Sequence, residues 1–420
     1  MVWPWPKVGL ARDKPVAERR RILLDSTGLP VGQQPWVGGW LLGGGAYGIA
    51  AVWMKVDPIT QRITDRMVVK HLDIDNQGQA GWWDPMAWCD NIDGVGYRDY
   101  TLPINHTLPA EGVLLERLCT RAAPPMDDLA NLPIIAYRGR SDVDQVNRSW
   151  KLFTEYCWWQ SLAHVQDWYT DAGPAQSIPE PFLWYVAEQL VLASMVMERG
   201  SSVPANAVNN WRGIIHRDFK PENIFLTTRN RDRFQHYPRV KLADFGLAIE
   251  TDRGDLANNP VNFWEDVGTD GYWSPEQRRW YQANGNLHLG KKLGPRTNVW
   301  CIGQVLRCLM GGEAEPVQPT YASPDSLVPD IPAGGFPGYS AQLNDFMGRC
   351  LRFNYNARPT LDQCLARIHN PADNNFQGMN VAVPRAPLSM DDSPHRLDIP
   401  ERDFYKVGMH RNQLPQAGQP

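Results

Sequence analysis

Several things are scarce in this chain, and each scarcity removes a class of function. No window of its 420 residues is apolar and long enough to span a bilayer, so no membrane role is expected. The opening MVWPWPKVGLARDK puts two prolines where a secretory signal needs an unbroken apolar run. Charge of one sign is also missing. The 42 Lys and Arg against 46 Asp and Glu leave a net charge of −4, which makes no field that would gather nucleic acid. The seven cysteines are scattered without a C-x-x-C pair, which argues against a disulfide scaffold or a zinc site. Reduced thiols in a cytoplasmic or nuclear protein fit better. Asn105-His106-Thr107 and Asn147-Arg148-Ser149 match the glycan acceptor pattern and, without a secretory signal, read as chance. No internal repeat is evident.

What the chain does have in quantity is tryptophan, with 18 copies against 12 Phe. Packing in cores and between elements is the common use of such rings. Residues 1–35 read as an N-terminal extension with a short helix near 15–24. WVGGWLLGGGAYGIAAVWMKVD and DRMVVKHL read as three strands turned at glycines. Residues 71–109, rich in Trp, Gly, Asp and Asn, form a long insert, which is either braced by its tryptophans or kept to recruit a regulatory protein. A helix is expected through AEGVLLERL, and strands through LPIIAYRG and SWKLFTEYC. Beyond residue 157 the apolar segments are mostly helical, above all EPFLWYVAEQLVLASMVMERG, NVWCIGQVLRCLM and SAQLNDFMGRCL. From about 367 onward Pro, Asn, Asp and Gly accumulate, and a partly ordered tail to residue 420 is expected.

Five stations along the chain carry chemistry. Gly43, Gly44, Gly45 and Gly48 lie between two strands rather than before a helix. That favours a hairpin folded over phosphates instead of a dinucleotide fingerprint. Lys70 ends the apolar run Met67-Val68-Val69, where a charge needs a partner. Glu111 is the candidate and Glu116 its rival. In GIIHRDFKPENIF, residues 213–225, Asp218 is suited to orient a hydroxyl and accept its proton. Lys220 could neutralise a transferring phosphoryl group, and Asn223 offers an oxygen ligand to Mg²⁺. Asp244-Phe245-Gly246 follows the strand VKLA and supplies a hard carboxylate to the same metal. Last come Gly268-Thr269, Ser274-Pro275-Glu276 and, much later, Arg358, where a buried Glu–Arg pair would fasten the segment to the helical region.

In this order the stations resemble the eukaryotic serine/threonine protein kinases, as a divergent, fungal-like member, over roughly residues 36–366. The resemblance implies an α+β, bilobal fold with a five-stranded small lobe (36–157) and a mainly helical large lobe (158–366). It implies Mg-ATP as the phosphoryl donor and Ser/Thr-bearing proteins as acceptors, handled by a monomer. Lys70 and Glu111 would form the ATP-positioning ion pair. Thr154 would be the gatekeeper residue, with the backbone of Glu155 and Cys157 bonding adenine and with Ala50, Val68 and Phe225 sandwiching it. Lys220 and Thr269 point to Ser/Thr rather than Tyr substrates, and Glu222 hints at a basic residue before the acceptor. Two departures stand out. Asn298-Val299-Trp300 replaces the family's Asp-Val-Trp, which removes a charge-assisted bond to the catalytic loop. Glu265 and Asp266 stand near where relatives carry an activating phosphate and would give Arg217 a permanent, weaker partner. A pseudokinase scaffold and a small-molecule phosphotransferase are the alternatives. Lys70, Asp218 and Asp244 speak against the first, and the full segment through SPE against the second.

Overall fold

The computed structural model describes residues 36–45, 48–73, 82, 87–89, 106–122, 132–171, 177–203, 206–229, 237–251, 267–277, 280–281, 287–288, 293–313, 316, 331–332 and 334–370. Near the C-terminus it describes 397, 399, 403, 405–410 and 413. The expected helix near 15–24, Glu265, Asp266, and most of the insert and tail lie outside these residues. The chain divides into two compact units, one built from residues 1–117, 135–158 and 401–420, the other from 118–134 and 159–400.

The first unit is organised by an antiparallel sheet of five strands in the order β1-β2-β3-β5-β4. These are β1 (Trp36–Gly45), β2 (Gly48–Val56), β3 (Ile63–Asp73), β4 (Tyr137–Arg140) and β5 (Ser149–Glu155), with helix α1 (Ala110–Thr120) between β3 and β4 in sequence. Side chains alternate across the sheet. Ala51, Trp53, Met67, Val69 and Phe153 fill one face, and Val52, Met54, Val56 and Ile63 the other. A sheet with one wet face would leave every second residue of β2 exposed. Here Ala51 through Met54 are all buried, because Tyr405 and Met409 from the far end of the chain cover the second face. The tail expected from about 367 therefore contains a segment that is part of the small unit's core.

The described part of the insert is a small core of its own. The Trp82 and His106 rings stack at 4.2 Å, and Trp88 meets both edge-on. Trp88 Nε1 donates to the Trp82 carbonyl at 3.1 Å. Packing is thus how these two tryptophans are used.

In the second unit the long helix α3 (Glu180–Arg199) is buried almost all round, as its lack of a polar stripe requires. It follows α2 (Leu162–Asp171) and packs on α4 (Pro295–Gly311) and α6 (Leu361–Ile368), while α5 (Ala341–Cys350) packs on α4. Helix α3 stops at Gly200, whose φ of 72° is left-handed and whose missing Cβ makes room for the Trp211 ring. Short ribbons flank these helices: β6 (Gly213–Ile215) pairs with β9 (Ile249–Thr251), and β7 (Ile224–Arg229) with β8 (Pro238–Leu242). One expected strand differs. LPIIAYRG enters the sheet only at Tyr137; Pro133 and Ile134 instead meet β8, the Pro133 carbonyl accepting from Leu242 N at 3.0 Å. Proline has no N–H to give a ladder, so the strand cannot extend back through it. The architecture is the α+β, kinase-like one expected, with a five-stranded sheet unit and a mainly helical unit.

Candidate active site

In the sheet unit the register brings the sequence candidates into line. Gly43 faces Ala50, Ala50 faces Lys70, and Val68 faces Thr154 across successive strand pairs. Gly44 and Gly45 continue the β1 ladder towards Gly48. At Gly48 a Cβ would lie 2.2 Å from the His71 carbonyl oxygen, so the close approach of β2 and β3 there requires glycine. Lys70 Nζ meets both Glu111 carboxylate oxygens, at 2.8 and 3.1 Å. The rival Glu116 is engaged elsewhere, by Tyr137 and Arg140. At the end of β5, Glu155 N donates to the Ala136 carbonyl and the Glu155 carboxylate accepts from Ala136 N. Both bonds fix the segment from Thr154 to the buried Cys157.

The helical unit holds a second constellation. Strand β6 delivers His216, Arg217 and Asp218, and the turn that follows delivers Lys220 and Asn223 at the start of β7. Asp218 Oδ1 accepts from both the amide and the hydroxyl of Thr269, at 3.1 and 2.7 Å. The same hydroxyl accepts from Lys220 Nζ at 2.7 Å, and Lys220 stands 3.3 Å from Asp218 Oδ2. Asn223 Nδ2 donates to the Asp218 carbonyl and to Oδ2, both at 2.9 Å. Both acceptors lie on its nitrogen side, which turns the Asn223 amide oxygen the other way.

His216 is fully buried, and desolvation holds its imidazole pKa below the usual value. The neutral ring accepts from Asp218 N at Nδ1 and so donates from Nε2 to the Ala243 carbonyl at 3.0 Å. It lies edge-on to Phe219 and Phe245. Ala243 N in turn bonds the Asn223 carbonyl at 2.9 Å, which ties Asp244 to the turn that carries Asn223. Asp244 itself is exposed and sits at a left-handed φ of 63°, a costly conformation for a non-glycine residue at an element boundary. Phe225 is half-buried between the fully buried Ile224 and Leu226, so its ring keeps an open face. Burial raises the Glu222 carboxyl pKa, opposed in part by Lys220, and its Oε2 has no hydrogen-bond partner.

Two further anchors hold these loops. Asn298, fully buried on α4, accepts from His216 N at 3.2 Å and donates to the Ile214 carbonyl at 3.1 Å. The amide thus uses both of its ends, and the second bond was not foreseen from sequence. Glu276 and Arg358 form a bidentate pair at 2.7 and 2.8 Å, with Thr297 and three backbone carbonyls completing their bonds. The expected pair is present and buried. Arg217 is buried too, and its Nε donates to the Leu247 carbonyl.

Oxygen donors suited to a hard cation are present in Asn223 and Asp244. Among the described residues no cluster of three His, Cys, Asp or Glu side chains could hold a metal.

Residues 210–368 match the family model for the protein kinase domain. The chain is 29% identical over 255 residues to the G2-specific protein kinase nimA of Emericella nidulans, covering 56% of this chain and 32% of that one. It is 29% identical over 185 residues to mitogen-activated protein kinase kinase 2 of Arabidopsis thaliana, covering 41% and 43%. To the serine/threonine-protein kinase PknB of Mycobacterium tuberculosis it is 28% identical over 225 residues, covering 48% and 32%. The chain thus spans less than half the length of these curated relatives. Fungal, plant and bacterial proteins match to similar degrees, so the expected fungal character has no support in them. Residues 210–368 are thus similar to the protein kinase domain, and the sheet unit and the mainly helical unit have a kinase-like architecture.

Proposed function

We propose that the chain is an active serine/threonine protein kinase that transfers the γ-phosphoryl group of Mg-ATP to a protein hydroxyl. The observation that carries this reading is the grip of Asp218 and Lys220 on a single hydroxyl. Thr269 Oγ1 lies 2.7 Å from Asp218 Oδ1 and 2.7 Å from Lys220 Nζ. A carboxylate that accepts from a hydroxyl, beside an ammonium on the same oxygen, is what an acceptor serine or threonine needs in order to attack phosphorus.

Each residue has a role in this reading. Asp218 orients the substrate hydroxyl and takes its proton as the O–P bond forms. Lys220 offsets charge on the transferring group, and Lys70, steered by Glu111, holds the donor's phosphates. Glycines 43, 44, 45 and 48 let backbone N–H groups approach those phosphates. Ala50, Val68 and Phe225 flank the adenine, while Thr154, Glu155 and Cys157 line its edge. Asn223 and Asp244 would hold Mg²⁺, whose bound charge stabilises the phosphate oxygens. Positioning and electrostatics supply most of the rate. The unpartnered Glu222 oxygen supports a basic residue near the acceptor in the substrate peptide.

The D218N variant tests the reading, because the amide keeps shape and removes the proton acceptor. It is expected to retain Mg-ATP binding and to lose peptide phosphorylation by about 10²-fold or more. Equal turnover in the two proteins would reject the assignment. A wild type that binds nucleotide yet phosphorylates nothing on a peptide array would favour a scaffold instead.

A further inference from the structure

The segment from Asp403 to His410 is held on the sheet unit by contacts unlike those of a loose terminus. Tyr405 is buried against Val52, Met54, Val56 and Ile63, and Met409 packs at the margin of the same cluster. Backbone bonds run in both directions, from Ile63 N to the Met409 carbonyl at 2.9 Å and from Gly408 N to the Ile63 carbonyl at 2.8 Å. A bridge pairs Arg62 with His410.

The segment also reaches the residues flanking the proposed adenine edge. The Tyr405 ring meets Tyr156 edge-on, with centroids 5.7 Å apart. Arg66 also lies over Tyr156, its guanidinium 5.1 Å from the ring centre. The same guanidinium forms an ion pair with Asp403 and donates to the Tyr405 carbonyl at 2.9 Å. Tyr156 is thus touched both by Tyr405 and by an arginine that Asp403 holds in place. It is the residue between Glu155 and Cys157. Burial keeps the Tyr156 and Tyr405 phenols protonated far above neutral pH, so both rings act as neutral packing groups.

We infer that residues 403–410 act as an intramolecular strap that positions the 154–157 segment and thereby sets the affinity for the nucleotide. Tyr405 and Asp403 are positioning residues in this arrangement, since they act through Tyr156 and Arg66. With the strap loosened, the chain must order residues 154–157 at the moment of binding, and nucleotide affinity falls by the cost of that ordering. Chemistry at Asp218 is untouched, so the loss belongs in KM for ATP and not in kcat. The inference rests on the proposed kinase reading only for its kinetic consequence.

The test uses the full chain with Y405A, with the milder D403N, and with V407A as a control. Val407 is 54% exposed on the same segment, so its truncation should leave the strap intact. Amide hydrogen exchange at 154–157 and kinetics in Mg-ATP are measured in each. Y405A and D403N are expected to exchange faster at 154–157 and to raise KM for ATP by about five-fold or more, with kcat within about two-fold. V407A should match wild type in both. Unchanged exchange and unchanged KM in Y405A and D403N would overturn the inference, as would a fall in kcat alone. Should the wild type prove inactive, exchange at 154–157 still decides the strap's role, and only the kinase reading fails.

Discussion

Replacing Asn298 with aspartate gives the residue that the resemblance to protein kinases implies at this position, yet the geometry argues that it weakens this chain. The Asn298 amide has two partners: it accepts from His216 N at 3.2 Å and donates to the Ile214 carbonyl at 3.1 Å. An ionised aspartate would strengthen the first bond, since a charged acceptor makes it roughly twice as strong, a gain of about 1 kcal/mol. It would lose the second. A buried carbonyl left without its donor costs about 1–3 kcal/mol, and here it would face a carboxylate oxygen as well. The site is fully buried, so the carboxylate also loses hydration. A net loss of about 2 kcal/mol at pH 8 follows, or about 2–4 °C in Tm for a chain of this size. Protonation reverses the loss, because a neutral acid can donate its O–H to Ile214. Burial and the facing carbonyl raise the folded-state pKa of the new acid, so the folded state binds the proton more tightly than the unfolded one. The penalty is then smallest near pH 4 to 5 and grows as pH rises through the folded pKa. Urea or thermal unfolding of N298D and wild type at matched pH values between 5 and 8 reads this directly. A variant as stable as wild type at pH 8, or a penalty that does not change with pH, would refute the reasoning.

Two further outcomes are expected. E276A leaves the fully buried Arg358 guanidinium without its carboxylate and should lower unfolding free energy by about 3–5 kcal/mol, whereas the double change E276M/R358M should cost much less, as calorimetry of the three proteins can check. G268A should cut phosphoryl transfer by about ten-fold or more. Gly268 has a φ of 115° and its Cβ would lie 2.4 Å from the Arg217 carbonyl oxygen, so Thr269 must shift away from Asp218; a wild-type kcat/KM in that variant would exclude the mechanism.

Much of the candidate site was legible because its chemistry is local. Asp218, Lys220 and Asn223 lie within one turn, and the glycines and Asp244 announce themselves by what a strand–turn junction needs. The Lys70 partner was less accessible, since 41 residues and the insert intervene, and only the three-dimensional placement of Glu111 against Lys70, with Glu116 bonded elsewhere, decides between the two glutamates. The strap could not be read at all. Its anchors join Arg66 to Asp403 and Arg62 to Gly408, separations of 337 and 346 residues, and no periodicity marks them. Asn298 shows a subtler limit: its change from aspartate reads as a lost charge, while the gain, a donor aimed at Ile214, exists only in three dimensions. Pro133 made the reverse error possible, because an apolar run looks like a strand of the sheet until its Pro133 carbonyl and Ile134 are found against β8.

The covering of β2 by Tyr405 and Met409 has a consequence for the birth of the protein. The helical unit draws on residues up to 400, while the sheet unit needs residues beyond them. On the ribosome the face of Val52, Met54 and Val56 therefore waits through the synthesis of some 350 residues before its cover is made. Until Tyr405 emerges that face is a sticky surface on an unfinished sheet, and nascent chains released early would carry it into aggregates or onto chaperones.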